Sequence, residues 1–128
     1  MKVCVLSSGS KGNSCLVITN ETKILIDIGT TSQYVVNELD KLGIKPGEIE
    51  AILITHNHAD HIHGLKTFIH KYKTKVYVTE KLYSLLEKEI GSFDYELYQD
   101  KQAIIKDLRI NTIRTSHDAG EQMGFIIK

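Results

Sequence analysis

Residues Ala51–His61 read AILITHNHADH, an apolar run that leads directly into three histidines and an aspartate. The apolar half has the length and composition of a buried strand. Buried imidazole and carboxylate groups each need a polar partner, and an ordinary hydrophobic core has none to offer. A divalent metal ion would satisfy all of them at once. This stretch therefore predicts a metal site at the end of a strand.

The spacing within this stretch fits metal coordination. His56 and His58 are separated by one residue, so both side chains can point to the same side of a strand end. Asp60 and His61 open the next helix and can approach from another direction. Two imidazoles and a carboxylate suit zinc, although manganese and iron accept the same ligands, and one or two ions could be held. A bound metal would lower the pKa of a coordinated water to about 7, and Asp60 could act catalytically by binding a second ion or accepting a proton.

The alternative interpretation is that these residues belong to a surface loop. Asn57 or Asp60 could then serve only as the N-cap of the next helix. That interpretation explains one polar residue and leaves the rest of the set without a role. The pattern therefore favours metal binding.

The segments on either side predict one α/β domain over residues 1–128. A strand at 3–6 is followed by the loop Ser7–Ser14, rich in serine and glycine, and by an antiparallel hairpin over residues 15–28. Residues 31–42 predict a helix that begins at hydroxyl caps and ends at Gly43. A second helix is expected over residues 61–72, a strand over 75–78, a third helix after Thr79, and further β segments beyond it.

Composition adds limits on partners and location. Sixteen basic and sixteen acidic residues leave no net charge, so the composition does not demand a polyanionic partner. Cys4 and Cys15 lie in apolar segments and are expected to be buried, reduced thiols. No segment is apolar over the ~18 residues that a membrane helix needs. We therefore expect a cytoplasmic protein without a membrane span.

The pattern His56-x-His58-x-Asp60-His61 after an apolar strand resembles the metal-binding motif of the metallo-β-lactamase superfamily. The resemblance implies that His56 and His58 bind one metal ion and that Asp60 and His61 bind another. It also implies that Asp27, at the end of an earlier strand, supports the histidine loop from behind. The alternative for Asp27 is that it merely closes its strand before the turn.

His117 and the serine-rich loop narrow the resemblance. His117 lies after a late strand, where the family places a third histidine on the first ion. The loop Ser7–Ser14 and the segment Ser116–Ala119 resemble the WalJ (YycJ) branch of the superfamily, to which DNA exonuclease activity is attributed. A nucleic acid substrate is thereby implied, and Ser10 and Asn13 would help the loop to cradle a phosphate group. The alternative is a plain glycine–serine turn between two strands.

The resemblance also implies a fold larger than this chain. The family stacks two β/α halves into an αββα sandwich, and we expect this chain to form the N-terminal half, a mixed sheet with helices on one face. The family's bridging aspartate and last histidine would fall after Lys128. We therefore expect a weak or absent second ion and an inner sheet face left bare. Such an apolar face predicts a homodimer or a separately encoded C-terminal half as the partner.

Three hypotheses about function follow. The first is a metal-dependent hydrolase of phosphodiester bonds in nucleic acid, in which a partner supplies any missing metal ligands. The second is a truncated, non-catalytic domain that binds metal or another protein. The third is a hydrolase of a small ester, thioester or lactam.

Overall fold

A computed structural model describes residues 1–114 and 123–128, and within that part the chain forms two sheets and four α-helices. The first sheet contains β1 (Lys2–Ser7), β2 (Ser14–Ile18), β3 (Lys23–Ile26), β4 (Ala51–Leu53), β5 (Lys75–Val78) and β6 (Tyr95–Leu97). The second contains β7 (Gln102–Ile105), β8 (Leu108–Arg114) and β9 (Met123–Ile127). The helices are α1 (Ser32–Lys41), α2 (Ala59–Ile62), α3 (Leu65–Tyr72) and α4 (Glu80–Ile90). None of the described helices is long and apolar enough to cross a membrane.

The first sheet is mixed, and its strands neighbour one another in numerical order from β1 to β6. Strands β1, β2 and β3 are antiparallel, which confirms the predicted hairpin, whereas β3, β4, β5 and β6 are parallel. The carboxyl ends of the four parallel strands therefore meet at one edge, which we call the carboxyl edge. Ligands of open α/β sheets bind in the crevice beyond such an edge.

Both predicted hydroxyl caps are confirmed. The Thr31 hydroxyl accepts the N–H of Tyr34 at 3.1 Å, and the Thr79 hydroxyl accepts the N–H of Leu82 at 3.2 Å. Each bond satisfies one of the N–H groups that a helix start leaves without an internal partner. Helices α1 and α4 therefore begin where the sequence predicts.

The single helix predicted over residues 61–72 is wrong, because α2 ends at Ile62 and α3 begins at Leu65. Gly64 lies at the break, and its N–H donates to the carbonyl of Ile28 at 2.9 Å. The apolar side chains of Ile62, Leu65 and Phe68 all join the same core across the break. Their spacing therefore continues the helical period and hides the interruption.

Each face of the first sheet carries its own hydrophobic core. The helices cover one face, where the core includes Leu16, Leu25, Val35, Ile52, Leu65, Phe68, Leu82 and Leu86. The second sheet covers the other face, where the core includes Val17, Ile24, Leu53, Ala103, Leu108 and Ile110. The predicted fold class, a mixed sheet with helices on one face, is confirmed. The expectation of a bare inner face is wrong, because β7 and β8 fold back over it and bury their own alternate side chains there.

A polar clamp joins the two sheets at the end opposite the carboxyl edge. Asp107, in the turn between β7 and β8, accepts hydrogen bonds from the hydroxyls of Thr22 at 2.5 Å and Thr19 at 2.8 Å. Both threonines belong to the turn between β2 and β3. The hydrogen bonds from Thr22 and Thr19 hold the pKa of Asp107 below its ordinary value.

We expect Asp107→Asn to lower the melting temperature near neutral pH, with a deficit that shrinks as the pH falls. The pKa of Asp107 is lower in the folded protein, so the stabilisation by its charge is present above the unfolded pKa, about 3.9. It is lost as the pH falls through the lower, folded pKa. Thermal melts of the wild type and of Asp107→Asn, recorded from neutral pH down to acidic pH, check the prediction. A deficit that stays constant with pH would show that the charge has no role.

Candidate metal centre

The candidate metal centre lies at the carboxyl edge, where β3 and β4 end side by side. Asp27 follows β3 directly, and its N–H donates to the carbonyl of Leu53 at 2.8 Å. Thr55 lies two residues after the end of β4, and residues 56–58, the histidine loop, lead from it into α2. Because Ile26 pairs with Leu53 in this parallel ladder, Asp27 and the histidine loop leave the sheet together.

Three of the predicted ligands come together in the structure. One potential ligand atom from each of His56, His58 and Asp60 lies within 4.8 Å of the other two. The ring centre of His56 is 4.6 Å from that of His58 and 3.9 Å from that of His61. His56 is buried, whereas His58 is exposed. The group therefore opens from the interior to solvent, as a site with a free coordination position requires.

His61, the fourth predicted ligand, is held from behind by Asp27. The Asp27 side chain is only 4% exposed, and its Oδ2 lies 2.6 Å from His61 Nδ1. The same carboxylate accepts the N–H of Thr55 at 2.8 Å and the Thr55 hydroxyl at 2.6 Å. A carboxylate on one ring nitrogen orients the imidazole, whose other nitrogen, Nε2, faces the side-chain amide of Asn13 at 3.2 Å. Asp27 thus contacts Thr55 and His61, which flank the histidine loop, and its support of a metal site stays a prediction.

The Thr55 hydroxyl, which the sequence analysis missed, sets the tautomer of His56. Its one proton is donated to Asp27, so its oxygen can only accept from Nδ1 of His56, 2.9 Å away. A neutral His56 then carries its proton on Nδ1 and keeps a lone pair on Nε2. The only signal in the sequence is a hydroxyl residue before the first histidine, which is equally typical of an ordinary strand end.

The pKa values of the two inner histidines shift in opposite directions. Burial, with the neighbouring His61 and His58, lowers the pKa of His56, which favours the neutral, metal-binding form. Burial also acts to lower the pKa of His61. The hydrogen bond from His61 to Asp27 and the charges of Asp27 and Asp60 outweigh burial, so the pKa of His61 is raised. A metal ion would therefore compete with a proton mainly at His61.

Three backbone segments cross closely beside the histidine loop. The N–H of Asn13 donates to the carbonyl of Asp60 at 2.7 Å, and the N–H of Gly29 donates to the carbonyl of Asn13 at 2.8 Å. A Cβ atom on Gly29 would overlap the backbone of Asp60, and one on Gly64 would overlap the backbone of Thr30. Only glycine allows these approaches. The crossing therefore fixes the position of Asp60.

The two predicted substrate contacts, Ser10 and Asn13, lie in different surroundings. Ser10 is exposed in a short 3-10 turn over Gly9–Lys11. The side-chain amide nitrogen of Asn13 lies 3.1 Å from the carbonyl of Asp60, 3.4 Å from its Oδ2 and 3.2 Å from Nε2 of His61. Asn13 thus joins two predicted ligands, a position that sequence analysis did not foresee. Substrate contact by either residue stays a prediction.

His117 lies outside the described residues, so its place on the first metal ion stays a prediction. Strand β8 ends at Arg114 and β9 begins at Met123. The N–H of Met123 donates to the carbonyl of Thr55 at 2.7 Å. Strand β9 therefore begins beside the histidine loop.

Comparison with known proteins decides the family. Residues 8–127 match the profile of the metallo-beta-lactamase superfamily. The chain belongs to this superfamily. Exodeoxyribonuclease WalJ of Streptococcus pneumoniae serotype 2 (strain D39 / NCTC 7466) is 36% identical over an alignment of 124 residues that covers 92% of this chain and 46% of WalJ. Exodeoxyribonuclease YycJ of Bacillus anthracis is 33% identical over 127 residues, which cover 93% of this chain and 47% of YycJ.

A solved structure of a metallo-β-lactamase from Cronobacter sakazakii superimposes with a TM-score of 0.80. It is 16% identical, and the match covers 93% of this chain and 54% of that protein, so this likeness concerns the fold. The predicted resemblance to the superfamily and its WalJ-like branch is confirmed. The chain spans about half the length of the curated relatives it matches.

The described residues fit the divalent ions that the superfamily binds. Two imidazoles and a carboxylate converge, and a buried carboxylate orients a further imidazole from behind. Nitrogen and oxygen ligands of this kind suit zinc and its first-row neighbours. The fit rests on these donors and their supporting hydrogen bonds.

Asp27→Asn is expected to weaken metal binding by about 10- to 100-fold, the usual effect of losing an outer-sphere partner. Asn tolerates the left-handed backbone at this position, where φ is 64°. The change therefore removes the negative charge and one acceptor oxygen without straining the backbone. Competition with a chromophoric chelator measures the affinity. Asp40→Asn, on the exposed side of α1, removes the same charge and should leave the affinity unchanged. Equal affinities for the two variants would refute the supporting role of Asp27.

Proposed function

We propose that this chain carries the metal centre of a hydrolase that cleaves phosphodiester bonds in nucleic acid. The observation that carries the proposal is the convergence of ligand atoms from His56, His58 and Asp60 within 4.8 Å, beside a His61 ring held by Asp27. The named exodeoxyribonuclease relatives, at 36% and 33% identity, support nucleic acid as the substrate class.

In this proposal His56, His58 and His117 hold the first ion, and Asp60 and His61 hold the second. The lone pair that Thr55 leaves on Nε2 of His56 supports the first assignment. Zinc is the proposed metal because it suits this ligand set, with manganese and iron as chemical neighbours. A divalent ion bound there supplies Lewis-acid polarisation of a phosphoryl oxygen and an acidified water.

The protein groups around the ions have separate tasks in this proposal. The Asp60 carboxylate, 45% exposed, is the group that accepts a proton from the attacking water or binds the second ion. Asn13 holds Asp60 and His61 in place, and its side chain also connects to the carbonyl of Gly9 at 3.3 Å. The exposed turn that contains Ser10 is thereby tied to the centre, which supports its proposed contact with a substrate phosphate.

A cytoplasmic location is part of the same proposal. The thiols of Cys4 and Cys15 are free, and unpaired cysteines are typical of reducing compartments. Fractionation of the producing cells, with detection of the chain in each fraction, tests the location.

Metal analysis combined with cleavage assays tests the proposed function. Elemental analysis after incubation with zinc, manganese or iron gives the number and identity of the bound ions. Labelled single- and double-stranded DNA and bis-p-nitrophenyl phosphate serve as phosphodiester substrates, and p-nitrophenyl acetate serves as the ester control. Phosphodiester cleavage that stops with EDTA would support the proposal. Turnover of the ester alone would favour a small-molecule hydrolase, and bound metal without any turnover would favour a non-catalytic domain.

The outer face of the second sheet supports a protein partner. The register pairs Ile104 with Arg109 and Ile126 with Asn111, so both isoleucines share the face of Ile113. Ile104 is 66% exposed, Ile126 is 44% exposed and Ile113 is 46% exposed. Exposed apolar side chains that share one sheet face, here beside Arg109 and Asn111, are typical of an interface. The proposed occupant is a second copy of this chain or a separately encoded C-terminal half.

Sedimentation over a concentration series is expected to show self-association of the wild-type chain. Ile126→Lys should shift the protein toward monomer, because it replaces one of the three exposed isoleucines of this face by a charge. Gln33→Lys, on the exposed side of α1, is the matched control and should associate as the wild type does. A wild-type chain that stays monomeric throughout would exclude the homodimer and leave the separate half as the partner to be sought.

A further inference from the structure

Residues 61–79 are basic in a chain that is neutral as a whole. This stretch contains four lysines and no aspartate or glutamate, whereas basic and acidic residues balance over the full sequence. Lys75 pairs with Glu96 at 3.3 Å. The ammonium group of Lys71 lies 5.7 Å from the centre of the Tyr72 ring. Two of the four lysines are therefore engaged within the protein.

The other two lysines, Lys66 and Lys73, form no ion pair with any residue that the structure describes. Both line a groove of about 330 Å³ between α3 and residues 90–94, which join the end of α4 to β6. His70 lies between them on the same face of α3, because steps of four and three residues return to one side of a helix. Asp94 supplies the carboxylate among the described wall residues, so the two ammonium groups leave an excess of positive charge.

The opposite side of the groove is apolar and aromatic. Ile90 and Phe93 lie in this wall. The centre of the Phe93 ring is 4.9 Å from that of Tyr83 and 6.2 Å from that of Tyr95. Tyr95 is 39% exposed, so this aromatic cluster reaches the surface beside the groove. Aromatic faces next to positive charge suit the bases and phosphates of a single strand of nucleic acid.

The groove leads away from the metal centre along α3. Lys66 lies on the first turn of α3, five residues after His61. The seven residues from Lys66 to Lys73 span about 10 Å at the helical rise of about 1.5 Å per residue. Lys73 lies just before β5, at the edge of the sheet opposite the carboxyl edge. A strand bound in the groove would therefore extend from the centre toward that opposite edge.

We propose that this groove holds the single strand of nucleic acid that leaves the metal centre, with phosphate groups at Lys66, His70 and Lys73 and a base against Phe93. The inference rests on the proposed function for its substrate class and adds the surface that holds the strand. A positive groove with aromatic side chains is the usual arrangement for binding single strands without sequence preference. A solvated lysine face would account for the two ammonium groups but not for the aromatic wall opposite them.

Binding measured without metal tests the proposal independently of cleavage. The probe is a fluorescent single-stranded DNA oligomer, titrated in EDTA at several salt concentrations. The double variant Lys66→Gln/Lys73→Gln should weaken binding about 10-fold. It should also lower the slope of log affinity against log salt by about 1.4, because each phosphate contact with a single strand contributes about 0.7. Both side chains are exposed, so the melting temperature should stay close to that of the wild type.

Lys81→Gln/Lys88→Gln is the matched control, with the same spacing of seven residues and the same loss of charge. Both lysines are exposed on α4 and lie outside the groove wall. The affinity of this control and its salt dependence should stay close to those of the wild type. Equal losses in the two double variants would overturn the proposal, because binding would then follow net charge and not the groove.

Phe93→Leu tests the place of the base. Leucine keeps apolar bulk against the core that Phe93 contacts, but it removes the aromatic face. The variant should bind the normal oligomer about 5-fold more weakly and should bind an oligomer with abasic sites as the wild type does. Equal affinity of the wild type for normal and abasic oligomers, or unchanged affinity in Phe93→Leu, would overturn the place of the base.

Three results separate this inference from the proposed function. A wild type that binds through the groove and cleaves no DNA would contradict the proposed function and leave the inference standing. A wild type that cleaves DNA while Lys66→Gln/Lys73→Gln binds as Lys81→Gln/Lys88→Gln does would support the proposed function and overturn the inference. A wild type that does not bind the oligomer in EDTA would overturn the inference whatever its activity.

Discussion

His58→Ala is expected to lower the affinity for the first metal ion by more than about 100-fold, above the range for an outer-sphere partner, and to abolish phosphodiester cleavage. The change removes a nitrogen donor from the group formed with His56 and Asp60. His58 is exposed, and its side chain makes no capping hydrogen bond to α2. The fold should therefore survive the loss of the ligand. Elemental analysis and the DNA cleavage assay measure the two effects.

His70→Ala is the control for this prediction, because His70 is an exposed histidine on α3. Its metal content should match the wild type. Melting temperatures in EDTA should stay close for His58→Ala and the wild type, since the exposed His58 ring contacts His56 by an edge and lies outside the hydrophobic cores. Full metal content in His58→Ala would remove His58 from the centre.

Gly29→Ala is expected to destabilise the fold by about 3 kcal/mol or more, or to prevent folding altogether. The new methyl group would overlap the carbonyl group of Asp60 and the backbone nitrogen of Asn13. Both are backbone atoms that are joined by a hydrogen bond of 2.7 Å, so neither can move without separating the crossing segments. Urea unfolding monitored by circular dichroism measures the free energy of unfolding. Metal affinity of any folded fraction should also fall, because Asp60 is displaced.

Gly47→Ala is the matched substitution for Gly29→Ala. Gly47 lies in the exposed turn Pro46–Glu48, and a Cβ atom there meets nothing within 4 Å. Alanine should therefore be neutral or stabilise the protein by up to about 1 kcal/mol, by reducing the freedom of the unfolded chain. A Gly29→Ala protein as stable as Gly47→Ala would show that the crossing is loose.

The sequence predicted much of the fold and the convergence of His56, His58 and Asp60, but not the hydrogen bonds that hold them. Apolar runs and hydroxyl caps marked the strands and α1 and α4, because these signals are local. The break at Gly64 was missed because its cause, a hydrogen bond to Ile28, lies far away in sequence. The burial of the inner face of the first sheet by β7 and β8 was not predicted. The alternation of apolar and polar residues in β8 indicates that one face of that strand is buried, but it does not indicate which surface it packs against.

Contacts between residues far apart in sequence were also missed within the metal centre. His56, His58 and Asp60 share one short motif, so their convergence follows from local geometry. Asn13 reaches Asp60 across 47 positions of sequence, and no local signal marks that contact. The resemblance to the superfamily supplied Asp27, but neither it nor the spacing pointed to the Thr55 hydroxyl.

The hydrogen bonds of Asn13, Asp27 and Thr55 have a consequence for biosynthesis. The described hydrogen bonds of these residues and of the histidine loop lie within the first 64 positions, apart from the bond that Met123 donates to Thr55 and the bond that Asn57 donates to Glu89. A growing chain emerges from the ribosome at about 5–20 residues per second, N-terminus first. The ligand geometry can therefore assemble seconds before β7, β8 and β9 have been translated. The nascent chain can therefore orient His56, His58, Asp60 and His61 before it contains His117, the third ligand proposed for the first ion.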